Sequence, residues 1–248
     1  MSPDGTAILQ NLHIVAAERA ERAADAAFDA RVRAVKSYQV RRFEQTYADL
    51  LAHPRYSRAA RFFLDDLYGT SDFTDRDDQF ARIVPGLVRV FPAEIVGTVR
   101  ALSELHALSE TLDSAMGRAL ATAGGGAAVA LEPGAYAAAW RMVGRPADRE
   151  RQIDLTLAVG RALDRYTRNP VLRHSLRLMR SPARAAGLAA LQTFLETGFD
   201  TFRDMKGAEF FLDTVAARER DFVRGLFGAA PRAPAASPSP SGTPGAAG

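Results

Sequence analysis

The sequence has no cysteine among its 248 residues. That one absence excludes disulfides, thiolate zinc sites, iron–sulfur clusters and cysteine nucleophiles, and it fits a cytoplasmic location. Lysine is almost missing as well: of 32 cationic residues only Lys36 and Lys206 are lysine, so arginine carries the positive charge. Arginine suits bidentate binding of carboxylate and phosphate, although genomic base composition explains the bias equally well. No window approaches the roughly 20 apolar residues that span a bilayer. The first twelve residues also lack the charged start and apolar run of a signal peptide. Neither a secreted nor an integral membrane protein is expected.

The familiar signatures of chemistry are absent too. There is no phosphate-binding Walker loop, no Gly-x-Gly-x-x-Gly after a strand, no Gly-x-Ser-x-Gly elbow and no His-Glu-x-x-His. Alternating β patterns are missing, while apolar residues recur at helical spacing along almost every long segment. The expected fold is therefore all-α, a multi-helical bundle of about eight to ten helices. Residues 1–35, rich in Ala, Arg and Glu, read as an N-terminal helical extension, and 36–227 as a single helical domain. From 228 onward Pro, Ala, Ser and Gly dominate, which predicts a disordered tail. Long helices are expected across about 92–120 and 182–205 among others; Pro85 is expected to kink one helix, Pro92, Pro146, Pro170 and Pro182 punctuate others, and Gly124–Gly126 reads as a flexible connection.

The stretch Phe62-Phe63-Leu64-Asp65-Asp66-Leu67-Tyr68 is the most distinctive part of the chain. With its flanks Pro54-Arg55-Tyr56 and Gly69-Thr70-Ser71-Asp72-Phe73, it resembles an uncharacterised bacterial family named for its FFLEELY motif. Aspartates stand here where that family has glutamates, keeping the charge and shortening the side chain. The resemblance implies a lineage and no activity. On a helical wheel Phe63, Leu64, Leu67 and Tyr68 share one broad apolar arc, while Phe62 falls between Asp65 and Asp66. Either this helix is contacted by neighbours on two sides, or Phe62, Asp65 and Asp66 form a docking spot for a basic protein partner. Adjacent aspartates point about 100° apart on a helix, which is poor geometry for a paired acid and base.

The best candidate for a ligand site is Glu104-Leu105-His106-Ala107-Leu108-Ser109-Glu110-Thr111-Leu112-Asp113. His106 lies near the apolar arc of its helix, with Glu110 at i+4 and Asp113 at i+7 along the same line. One reading is a histidine held beside the core by a hydrogen bond. The other is a cofactor or ligand site in which His106, Glu110 and Asp113 hold a haem, a metal ion or a small molecule. The paired Glu-x-x-His motifs of a di-iron bundle are absent.

Charge is unevenly distributed. Residues 61–120 hold ten acids and six bases, whereas 121–180 hold five acids and ten bases. Arg161, Arg165 and Arg168, then Arg173, Arg177, Arg180 and Arg184, recur at helical spacing. Such a stripe can bind nucleic-acid phosphates, with Arg173 and Arg177 as the contacts to test, or it can pair with the acidic region of its own chain. These features favour a non-enzymatic interaction or regulatory protein with an unknown protein partner, a homo-oligomer being one form of it. A sensor centred on His106 and nucleic-acid binding through 161–184 are the alternatives.

Overall fold

The computed structural model describes residues 2–67, 74–122 and 131–228, with the side chains at 66 and 67 outside that description. The fold is the expected all-α bundle. Its helices are α1 (Pro3–Ala24), α2 (Ala26–Thr46), α3 (Ala48–Ala52), α4 (Ser57–Phe62), α5 (Thr74–Val90), α6 (Ala93–Thr122), α7 (Pro133–Val143), α8 (Pro146–Thr167), α9 (Pro170–Leu178), α10 (Arg180–Ala185), α11 (Ala189–Asp204) and α12 (Glu209–Gly228). Local chemistry sets most of the ends. Proline opens α1, α7, α8 and α9, where its missing N–H is no loss. Gly187 adopts φ +68° between α10 and α11, so the long helix expected across 182–205 is broken there.

Asp25 divides the expected N-terminal helix into two. Its backbone is extended, and its Oδ1 accepts hydrogen bonds from the backbone N–H groups of Ala27 and Phe28 at 2.9 and 3.0 Å, capping α2. The chain turns there, and α1 packs along α6 and α5 with Ile8, Leu12, Val15 and Arg22 buried. The segment 1–35, expected as an extension, is thus part of the bundle, and the boundary expected at residue 35 falls inside α2.

The signature segment leaves α-helical geometry. After α4, residues Phe63–Leu67 form a π-helical turn, whose wider register places Phe62, Phe63 and Leu64 in succession against the interior. Phe62 stacks on Phe194 of α11, with ring centroids 5.7 Å apart, over Gly198, where a Cβ would come within 3.1 Å of its ring. Only 5% of it is exposed, and burial of that order stabilises by about 2–3 kcal/mol. Neighbours therefore contact the helix on two sides. Tyr68, the Gly124–Gly126 connection and the tail expected to be disordered lie outside the described residues.

α6 is the axis of the fold, about 45 Å long at the standard helical rise, and α1, α2, α7 and α8 pack around it. α2 approaches closest at Gly117, where a Cβ would meet Val32 at 2.6 Å. α8 runs antiparallel to α6, as the pairing of Gln152 with Ser109 and of Tyr166 with Thr98 requires. Three apolar clusters form around this axis. One joins α2, α4, α8, α11 and α12; a second surrounds Tyr136 and Trp140; a third holds Ile8, Leu12, Val84 and Val96. Val223 of α12 packs against both of the first two.

Candidate functional site

A helix that faces neighbours on several sides normally carries apolar residues all round, yet α6 buries Ser103, Glu110, Asp113 and Ser114. Ser103, Glu110 and Asp113, with His106 and Ser109, line a cavity of about 200 Å³ bordered by side chains of α1, α2, α5, α6, α7, α8, α11 and α12. The three residues singled out on this helix, His106, Glu110 and Asp113, all line it.

Their partners come from elsewhere in the chain. Glu110 accepts hydrogen bonds from Arg22 Nη2 at 2.6 Å and from Lys36 Nζ at 2.8 Å, and Arg22 also donates to Ser114 Oγ at 3.0 Å. Burial works against the charged carboxylate, but the Lys36 and Arg22 charges and the Lys36 hydrogen bond outweigh it and hold the pKa at about 2. One of the two lysines in the protein is therefore spent inside this site. Asp113 has a different fate. It accepts one hydrogen bond, from Gln39 Nε2 at 2.8 Å, and burial drives its pKa above the ordinary carboxyl value, with Glu110 adding to the rise.

His106 takes neither carboxylate of its own helix. Its Nε2 lies 2.8 Å from Asp77 Oδ2 of α5 and 3.4 Å from Arg19 of α1, and Arg19 pairs with Asp77 at 2.9 Å. Burial resists ionisation of Asp77, yet the His106 hydrogen bond and the charges of His106, Arg76 and Arg19 leave its pKa below the ordinary value. Among the described residues, no three His, Asp or Glu side chains converge as a metal site. His106 is held by a hydrogen bond at the edge of the core. His13, His53 and His174 are exposed.

A residue the sequence reading passed over stands out beside the cavity. Arg149, in the first turns of α8, is 3% exposed, and its guanidinium lies 3.7 Å from the centroid of the Trp140 ring. Nε and Nη2 are buried without a hydrogen-bond partner, and no carboxylate of the described residues lies within 4.0 Å of its nitrogens. Burial pulls its pKa down while Tyr136 and Asp113 pull it up, and a guanidinium stays protonated. The indole Nε1 of Trp140 is likewise unpartnered. Tyr136, stacked on Tyr38 at 4.1 Å, completes this corner, and burial raises its phenol to about 12. The sequence offered no signal for Arg149, one arginine among many, because its isolation is a fact about its neighbours.

The remaining candidates lie apart from the cavity. Phe62 belongs to the core and is no docking spot; Asp65 is exposed, and the Asp66 side chain lies outside the described residues. Arg173 pairs with Asp200 at 3.2 Å. Arg177 is exposed and has no ion pair among the described residues. Arg165 reaches Glu94 and Arg180 reaches Glu196, so acids of the same chain partly neutralise the stripe. The charge asymmetry is likewise partly internal, since Glu104 holds Arg151 bidentately at 2.7 and 2.9 Å.

Fold and site together define a helical bundle with a polar-floored cavity at its centre. Residues 18–233 match the family model described as a domain of unknown function, DUF8198, and the chain belongs to that family. No curated protein and no solved structure matches it. No helix of the described residues is long and apolar enough to cross a membrane.

Proposed function

We propose that this protein binds a small molecule in the central cavity and acts through that binding rather than by catalysis. The observation that carries the reading is the mixed lining of the cavity. Val99, Leu102 and Leu105 of α6 and Phe80 and Ile83 of α5 line it together with His106, Ser109, Glu110, Asp113, Tyr136 and Arg149. A concave space with apolar walls and a few convergent polar groups is the usual form of a ligand site. Its volume suits a metabolite smaller than the roughly 300–1,000 Å³ of typical drug-sized pockets. Leu195, 40% exposed, is among the residues that line it.

Binding is put before catalysis because Glu110 is fixed between two cations, and because the imidazole that Asp77 orients has no hydroxyl hydrogen-bonded to it among the described residues. An interaction protein, the leading expectation from sequence, has less support. Phe62 is internal, and the exposed Val171, Leu178 and Met179 around α9 carry no sign of what would cover them.

The test is native mass spectrometry on protein purified without denaturant, beside a thermal-shift screen of small acids, amides and alcohols. A bound adduct or a concentration-dependent rise in melting temperature, lost when Leu102→Phe and Leu105→Phe fill the cavity, is the expected result. A well-folded protein that carries nothing and responds to none of these compounds would sink the reading.

A further inference from the structure

We propose that the ligand is a small amphiphilic carboxylate, its carboxylate held by the Arg149 guanidinium against Trp140 and its aliphatic or aryl tail directed along α6 toward Leu102 and Val99. This deepens the cavity reading and rests on it.

One charge is left over beside the cavity. Glu110 is matched by Arg22 and Lys36, and Glu219 by Arg42 at 2.5 Å and by the Tyr47 hydroxyl at 2.7 Å. Of these cations, Arg149 alone has neither a carboxylate nor a hydrogen-bond partner among the described residues. Buried arginine is ordinarily paired, since an uncompensated buried charge is costly. Its planar fork matches the two oxygens of a carboxylate. Stacking on Trp140 fixes the plane of the fork before any ligand arrives, so little side-chain entropy remains to be lost on binding.

The neighbouring carboxylate does not pair with Arg149. Asp113 lines the same cavity, accepts its hydrogen bond from Gln39, and among the described residues has no oxygen within 4.0 Å of the Arg149 nitrogens, while burial raises its pKa. A tail finds apolar wall along α6. From Asp113 to Val99 is fourteen residues, about 21 Å at the helical rise, and over that length Leu105, Leu102 and Val99, with Phe80 and Ile83 of α5, line the cavity alongside Ser103, His106 and Asp77. An inorganic anion would leave these apolar side chains uncovered, and a neutral hydrocarbon would leave Arg149 without a counter-charge.

Trp140 is the only tryptophan in the chain, so its fluorescence reports on this corner directly. The experiment titrates the full-length protein with octanoate and 3-phenylpropionate, with the matching neutral amides, and with inorganic phosphate. Saturable fluorescence changes are expected for the acids, with the amides and phosphate binding at least roughly tenfold more weakly, and Arg149→Met should remove that preference. Arg149→Lys keeps the charge but not the fork and should bind the acids several-fold more weakly; it also stands in if the methionine variant fails to fold. Equal binding of acids and amides, unchanged in either variant, would overturn the carboxylate assignment and leave the cavity reading intact. Phosphate binding as tight as octanoate would overturn the amphiphile. Silence from the acids would overturn the inference, and silence from the amides as well would count against the cavity reading too.

Discussion

Glu110 and Arg149 face the same cavity from antiparallel helices, and both are almost completely buried. One is saturated: cations from α1 and α2 hold both carboxylate oxygens. The other stacks on the face of an indole, with Nε and Nη2 unpartnered among the described residues. A buried charge with all its partners serves the fold, because it ties α1, α2 and α6 together wherever the apolar clusters leave off. A buried charge without partners weakens the fold and is available to something that comes from outside. The polar interior is therefore of two kinds, one structural and one open.

The largest effect is expected of Glu110→Ala, which strands Arg22 and Lys36 without this counter-ion. It should cost about 3–5 kcal/mol, a large share of the roughly 5–15 kcal/mol by which domains are stable, read as a fall in the urea midpoint. Acid probes the same site without mutation. The folded Glu110 pKa is depressed to about 2 from 4.5, so its contribution is complete above about pH 4.5 and is lost as pH falls toward 2. That amounts to about 3 kcal/mol. A Glu110→Gln variant should show a flatter stability profile across that window, and an unchanged acid limb would contradict the assignment.

Arg149 should respond in the opposite direction. Arg149→Met removes an unpaired buried charge and should stabilise the ligand-free protein by about 1–3 kcal/mol; a comparable loss of stability would mean that the guanidinium is structural after all. Asp113→Asn should be worth less. Its folded pKa is raised, so the wild type loses stability as pH rises above the unfolded value of 3.8, and the amide should gain about 1 kcal/mol at pH 7 and nothing at pH 3. Smallest of all is Arg165→Ala, which breaks an exposed pair with Glu94 and should move the denaturation midpoint by less than about 0.5 kcal/mol.

Much of the architecture was legible in the chain. Pro133, Pro146 and Pro170 mark the helix starts observed, and the helix expected across 92–120 is α6, at Ala93–Thr122. The breaks at Asp25 and Gly187 were missed because apolar spacing continues across both, while a side-chain cap and a positive φ interrupt the backbone. The alignment of His106, Glu110 and Asp113 on one line of α6 was also readable, since helical geometry fixes which residues share a face.

Their chemistry was not readable. The sequence placed a histidine on one line with two carboxylates, whereas packing gave His106 to Asp77, Glu110 to Arg22 and Lys36, and Asp113 to Gln39. The sequence determined the helices, their faces and the absence of thiol chemistry, because these depend on neighbours a few residues away. Only the tertiary structure decided which buried charges are matched and which is left open. Coulombic and hydrogen-bond partners are chosen by proximity in space, and the residues that pair with Glu110, or fail to pair with Arg149, are set by how helices far apart in the chain come to lie against α6.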